Sequence, residues 1–276
     1  MTVTRTPPPP PPRLPVRDRA TAEDRNWGGV SPMLSRLADE RATGVLVRER
    51  GTLYLSEGRV IHAESPSAPG LDVLLTAHGT VDVAVWRQAV DRADDHRGVG
   101  PLLVDGGQVA RGALELCHLG ALYDAAYFAL APSSTPGRFR YGAAHWLGSD
   151  RPVPVSALER ETVRRRDLLH RIWPDQETDT APLLRAEPVA PPALNARRRA
   201  VLAQVDGERT ATDIARRLGR QAFHTLVDVR RLAAAGFVAP LPRPSLAETV
   251  PAAARSRADD PDITLLKRLR DALEAL

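Results

Sequence analysis

The stretch that decides the fold is residues 195–241, NARRRAVLAQVDGERTATDIARRLGRQAFHTLVDVRRLAAAGFVAPL. Its apolar residues recur at the three- and four-residue spacing of helices, and Gly207, Gly219 and Gly236 divide it into three such segments. The last segment leads into Phe237-Val238, where an apolar strand begins. The stretch therefore predicts three helices followed by a strand.

The second and third of these helices carry the clearest local signals. Thr210 and Asp213 match a capping box, in which the threonine hydroxyl accepts a backbone N–H and the acid lies in the positive first turn. This helix is predicted to run to about Leu218, and the third helix to cover 221–235. The apolar residues of the third helix that are predicted to face a core are Phe223, Leu226, Val229 and Leu232.

The order of these elements resembles the winged helix-turn-helix regulators of the MarR and ArsR type. Their third helix commonly ends in an L-x-x-A-G-[LF]-V phrase, which here is Leu232-Ala-Ala-Ala-Gly-Phe-Val238. In that family the third helix enters the major groove of DNA. The resemblance implies that the outward positions of the third helix, with Asp228 among them, face DNA and that nearby arginines meet phosphates. The implied DNA-binding residues are Arg216, Arg217, Arg220, Gln221, His224, Thr225 and Arg231.

Local charge favours a polyanion partner for this segment. Residues 195–243 contain ten arginines and four acids, whereas residues 31–150 contain eleven arginines and fourteen acids. Two features depart from the family pattern. Asp228 would repel phosphate from the presumed reading face, and the prolines after Val238 cannot donate to a wing hairpin. A winged helix used only for protein contacts is therefore the alternative.

Four further phrases occur in order within residues 31–142. They are Thr43-Gly44-Val-Leu-Val47, Glu57-Gly-Arg-Val-Ile-His-Ala63, Gly70-Leu-Asp-Val-Leu-Leu75 and Gly137-Arg-Phe-Arg-Tyr141. The first two predict three short strands joined by turns at Arg50-Gly51 and Glu57-Gly58. A short helix capped by Ser31, with Pro32 at its first position, is predicted before them.

These phrases resemble the PatA-like N-terminal, or PATAN, domain of bacterial signalling proteins. The resemblance implies a module that binds proteins and has no catalytic role. One part departs from the pattern, because the span 81–136 is long and residues 102–130 predict an inserted helix pair. The fold class predicted for the whole chain is α+β.

Composition limits the class of protein. The 276 residues are 43% hydrophobic, and no window approaches the roughly 20 apolar residues of a membrane span. Cys117 is the one cysteine, and the start of the chain lacks an apolar signal core, so a soluble cytoplasmic protein is expected. Lys267 is the one lysine among 38 basic residues, which is typical of high-GC bacterial genomes.

The predicted organisation follows the breaks in composition. Residues 1–29, with a proline run, are expected to form a disordered tail. The remaining predicted parts are the PATAN-like domain (30–150), a connecting helix and linker (151–192) with a break over 173–192, the winged helix (193–242), a second linker (243–261) and an amphipathic helix (262–276).

Signals for catalysis or metal binding are weak. The chain contains no G-x-S-x-G elbow, P-loop, dinucleotide fingerprint or H-E-x-x-H motif. Cys117 and His118 are neighbours on a helix and point in different directions, and Asp94-Asp95-His96 reads as a solvated loop. Trp86, Tyr141 and Trp146 could line a ligand pocket but more often such aromatics fill a core. We therefore expect no enzyme, no cofactor and no metal.

The end of the chain carries an apolar stripe at helical spacing, which we call the tail stripe: Ile263, Leu266, Leu273 and Leu276. A helix of this length is unstable alone in water, so a surface should cover it. That surface is expected to be the chain's own body, a second copy in a homo-oligomer, or a protein partner.

Two functions follow from these patterns. In the first, the chain is a cytoplasmic transcriptional regulator whose PATAN-like domain receives a signal from a protein and whose winged helix binds duplex DNA. In the second, it is an adaptor that does not bind DNA, of the kind that the PATAN resemblance links to small GTPases and roadblock-type proteins. A sensor of a small hydrophobic ligand is a third, weaker interpretation.

Overall fold

The computed structural model describes residues 31–93, 98–142, 151–188 and 192–242, and every structural statement below concerns those ranges. They form ten helices and two antiparallel sheets, so the predicted α+β class is confirmed. The strands are β1 (Gly44–Arg48), β2 (Gly51–Ser56), β3 (Arg59–Glu64), β4 (Arg138–Tyr141), β5 (Val153–Pro154), β6 (Leu183–Arg185) and β7 (Val238–Pro240). The helices are α1 (Pro32–Asp39), α2 (Leu71–Thr76), α3 (Val83–Arg92), α4 (Val99–Asp105), α5 (Arg111–Ala129), α6 (Val155–Ile172), α7 (Glu177–Thr180), α8 (Ala196–Leu202), α9 (Ala211–Arg217) and α10 (Ala222–Ala234).

What we call the first unit consists of helices α1–α5 and a five-stranded sheet in the order β4-β1-β2-β3-β5. Alternate residues of β2 are buried, as in a strand with one face on a core. Gly58, at φ +75°, supplies the turn between β2 and β3, and a Cβ there would lie 2.5 Å from the carbonyl oxygen of Ala38. Leu46, Leu53 and Leu122 are among the fully buried side chains that join the sheet to α5.

Three short helices separate β3 from the long helix α5. The sequence predicts an inserted helix pair over 102–130, which corresponds to α4 and α5, and the structure places two further short helices, α2 and α3, before it. Helices α2, α3 and α4 enclose a small apolar core of their own, formed by Leu71, Leu75, Val81, Ala89, Val99, Leu103 and Val109. This arrangement leaves one side of α3 facing away from that core.

The segment predicted as a break contains regular structure up to Arg185. Helix α7 and strand β6 lie there, and β6 pairs with β7 from Leu183↔Pro240 to Arg185↔Val238. Leu183 is fully buried, and its N–H donates to the carbonyl of Arg209. Strand β7, the strand predicted after the third helix of residues 195–241, therefore takes its partner from upstream.

Helices α8, α9 and α10 and strand β7 form the part of the chain whose sequence resembles a winged helix, and for that resemblance alone we call it the winged-helix unit. The capping box of α9 is present, with Thr210 Oγ1 accepting from the N–H of Asp213 and the Asp213 carboxylate accepting from the N–H of Thr210. Helix α10 begins and ends one residue inside the predicted limits. Its apolar side packs on α8, α9 and α6, with Phe223, Leu226, Val229 and Leu232 all buried.

Several predictions concern residues outside the described ranges: the tail 1–29, the linker 243–261, the tail stripe, Trp146 and Asp94-Asp95-His96. No helix within the described ranges is both long enough and apolar enough to span a membrane.

Candidate interface at the start of helix α10

The N-terminus of α10 is capped by a carboxylate from the first unit. Asp124, on α5, is fully buried, and its two oxygens accept from the backbone N–H groups of Ala222 at 2.6 Å and Phe223 at 2.7 Å. The first amides of a helix have no partner within the helix, and Gln221 at the N-cap makes no side-chain cap bond. A residue 98 positions away therefore supplies the cap that the local sequence lacks.

An arginine of α6 completes this contact. Arg165 Nη1 lies 4.0 Å from Asp124 Oδ1 and donates to the carbonyl of Tyr123, while its Nε donates to Glu161. The guanidinium also lies 4.5 Å from the centroid of the Phe223 ring, a cation–π distance. Burial raises the pKa of Asp124 to about 6, against the opposing effects of the two amides and of Arg165.

Two glycines allow the units to approach closely. A Cβ at position 120 of α5 would lie 2.1 Å from Gln221 Nε2, so the side chain of Gln221 rests on Gly120. Gly219, in the turn before α10, has φ +57°, and a Cβ there would lie 2.2 Å from the Cβ of Ala77, just after α2. The turn and the first residues of α10 are therefore in contact with the first unit.

The residues predicted to bind DNA are placed in three different environments. Arg216, Arg217, His224 and Arg231 are exposed, Arg220 and Gln221 are half-buried, and Thr225 is buried. The prediction that Thr225 and Asp228 face outward is wrong, because α10 is covered on several sides by α6, α7, α8 and α9. Thr225 donates its hydroxyl to the carbonyl of Gln221.

Asp228 has a different role from the phosphate-repelling one that the sequence suggests. Its carboxylate accepts from Arg197 Nε at 2.5 Å, and Arg197 Nη2 also donates to the carbonyl of His224. Asp228 is only 3% exposed, so this pair ties α8 to α10 inside the winged-helix unit. One of the ten arginines counted as a DNA-steering charge is thus partly neutralised within the fold.

A second buried ion pair joins α10 to the segment predicted as a break. Arg230 donates to both carboxylate oxygens of Asp179, on α7, at 2.7 and 2.6 Å. Arg230 Nη1 also donates to the carbonyls of Leu169 and Trp173, at the end of α6. Arg230 is 3% exposed, so it cannot meet a phosphate and instead fixes α7 and α6 against α10.

The sequence reasoning missed Asp124, Arg165, Asp179 and Arg230. Asp124 had a visible signal, because it is the one acid in the apolar run Leu119–Leu130. An acid inside such a run is buried or part of an exposed stripe, and a buried acid needs donors. The sequence does not reveal which donors, because they lie on another unit of the fold.

A buried carboxyl also lies where α1 meets α6. Glu159 is 7% exposed, accepts from the backbone N–H of Ser31, and has no hydrogen-bond partner at Oε1 among the described residues. Burial raises the pKa of Glu159 to about 7. The charged form is therefore disfavoured in the folded chain.

We expect Glu159→Gln to remove a pH dependence of stability. The pKa of Glu159 in the folded chain lies above the ordinary value of 4.5. Its contribution to the free energy of unfolding is therefore fully present below about pH 4.5 and is lost as pH rises through 7. At pH 8 the variant should be more stable than the parent by about 1–2 kcal/mol after screening. Urea unfolding at pH 5 and pH 8 measures this. Glu208→Gln, which changes an exposed acid, is the control. The prediction is contradicted if the free energy of unfolding changes equally with pH in the parent, Glu159→Gln and Glu208→Gln.

The candidate metal ligands among the described residues are their histidine, cysteine and acidic side chains. No group of three or more His, Cys, Asp or Glu side chains within them could hold a metal ion. His118 lies 2.9 Å from His62, ring nitrogen to ring nitrogen, and burial raises the pKa of the half-buried Cys117. Trp86 lines a groove, whereas Tyr141 is 71% exposed on β4 and is not among the residues lining it.

In comparisons with known proteins, no family model, no curated protein and no solved structure matches the chain.

Proposed function

We propose that this chain is a non-enzymatic signalling adaptor in which the PATAN-like unit and the winged-helix unit act as one body. In this proposal the winged helix serves protein packing and does not read DNA. The observation that carries it is the cap that Asp124 provides to α10. The start of α10, which a DNA-reading helix would direct to base edges, is committed to a contact inside the molecule.

The size of that contact favours the proposal. Insertion of α10 into a major groove would require Ala222 and Phe223 to leave α5 and would re-expose the Phe223 side chain. Two hydrogen bonds to a charged group contribute about 1.5–3 kcal/mol each, and burial of a Phe side chain about 1.5–3 kcal/mol. The sum is of the same order as the roughly 4–10 kcal/mol that separates specific from non-specific DNA binding.

Surfaces for a protein partner remain on the first unit. Leu116 on α5 and Tyr141 on the edge strand β4 are more than two-thirds exposed. By the PATAN resemblance, the proposed partners are signalling proteins of the small GTPase or roadblock type, in a bacterial cytoplasm.

Duplex DNA is the second candidate partner, because Arg216, Arg217 and Arg231 are exposed on the winged-helix unit. Exposed arginines can attract phosphates without insertion of the helix N-terminus. In that case binding would be electrostatic and independent of sequence, which separates the two functions experimentally.

A duplex titration of the full chain tests the proposal. We expect weak binding that is equal for all DNA sequences. A plot of log affinity against log salt concentration should have a slope of roughly −0.9 for each phosphate contacted. Arg216→Ala with Arg217→Ala should reduce this binding, and Arg138→Ala with Arg140→Ala, at exposed arginines of β4, is the matched control. Selection from a random duplex pool that yields a site bound about a thousandfold or more above the background would overturn the adaptor proposal.

A further inference from the structure

A groove opens on the first unit. It has a volume of about 420 Å³ and lies between β3, α2, α3 and α5. Its walls are mainly apolar, with Trp86 and Val90 from α3 and Ala121 from α5. The charged residues that line it are Glu64 and Asp72, both acidic.

Helix α3 extends this apolar surface beyond the groove. Val83, Trp86 and Val90 occur at i, i+3 and i+7, which places them on one face of the helix. Val83 is 46% exposed and Val90 40% exposed, whereas Ala89 is buried in the small core of α2–α4. We call these three residues the α3 stripe. An exposed stripe beside an apolar groove has the form of a site that binds an amphipathic helix.

The chain itself contains a segment with the matching pattern. The tail stripe, outside the described ranges, repeats apolar residues at helical spacing over residues 262–276. Arg270 follows Leu266 by four residues and precedes Leu273 by three, so on the helical pattern this basic residue lies on the same face as the two leucines. Its charge complements Asp72 and Glu64 at the groove.

We propose that residues 262–276 of the same chain bind in this groove, with the tail stripe on the α3 stripe and Arg270 toward Asp72. This inference does not depend on the proposed function, because the groove-lining residues do not include Asp124, Ala222 or Phe223, which form the cap of α10. It assigns to the groove a helical ligand whose apolar face carries one basic side chain.

The connection is long enough for this docking. The last described residue is Pro242, and roughly 20 residues lie between it and the start of the segment. They can span up to about 65–70 Å. A compact body of about 200 residues has a radius of gyration of about 17 Å, so every part of its surface is within reach. The winged-helix unit also adjoins α2 through Gly219 and Ala77.

Amide hydrogen exchange on the full chain tests the proposal. We expect the α3 amides to lose protection by about tenfold or more in Leu266→Asp with Leu273→Asp, which places two charges in the tail stripe. Thr264→Asp with Ala275→Asp adds the same charges on the opposite side of the helical pattern and should leave α3 unchanged. Equal protection of α3 in all three chains would overturn the proposal.

A charge exchange tests the orientation of the segment. Asp72→Arg should lower protection of α3, and Arg270→Asp in the same chain should restore it, since Asp72 is exposed and its replacement leaves the core intact. No restoration would overturn the pairing. Protection of α3 should be the same at protein concentrations a hundredfold apart, and a loss on dilution would show that a second copy, instead of the same chain, occupies the groove.

Discussion

Replacing Asp124 with alanine should lower the free energy of unfolding by about 3 kcal/mol. The substitution leaves the N–H groups of Ala222 and Phe223 without acceptors in a buried position, and each such group costs about 1–3 kcal/mol. Relief of the buried charge offsets part of this, because burial already raises the pKa of Asp124. Chemical denaturation at pH 7 measures the difference.

The matched control for Asp124 is Asp39→Ala, at an exposed acid near the end of α1. We expect that control to change stability by no more than about 0.5 kcal/mol. A loss in Asp124→Ala as small as in the control would show that the contact between α5 and α10 contributes little. The winged-helix unit would then be free to separate from the first unit.

Arg230→Ala should have an effect of at least the same size, about 3–5 kcal/mol, for a different reason. The change removes the partner of Asp179, whose pKa burial already raises, and leaves a buried charge without compensation. It also removes a donor from the carbonyls of Leu169 and Trp173. Thermal and denaturant unfolding report the loss.

Two further variants identify the cause of the Arg230 effect. Arg231→Ala, at the exposed neighbour, should change stability by no more than about 0.5 kcal/mol. Arg230→Met combined with Asp179→Leu replaces the ion pair by apolar side chains and should recover most of the lost stability. If the double variant is as unstable as Arg230→Ala, an unpaired Asp179 is not the reason for the loss.

Local signals account for what the sequence predicted well. The capping box at Thr210 and Asp213 marks the start of α9, and the positive-φ glycines Gly219 and Gly236 directly follow the C-caps of α9 and α10. For that reason the limits of α9 and α10 were predicted within a residue or two. The turn at Gly58 did the same for β2 and β3.

Contacts between distant residues account for the rest. The pairing of β6 with β7 joins segments more than fifty residues apart. The three residues Leu183–Arg185 are too few to show a strand pattern, so the sequence did not predict this pairing. Thr225 is buried because α10 packs against helices of both units. The resemblance predicted an exposed Thr225 because it assumes the helix packing of the MarR and ArsR type regulators. Asp124 is the clearest case, since its partners can be named only from the fold.

The start of α10 is held by the first unit through the carboxylate of Asp124. The most direct measurement is the amide exchange rate of Ala222 and Phe223 in the full-length chain at neutral pH. Both amides should be protected nearly as well as that of the buried Leu226, and that protection should fall in Asp124→Ala. Exchange of both amides at the rate of an open helix N-terminus would contradict the account, because α10 would then be available to DNA.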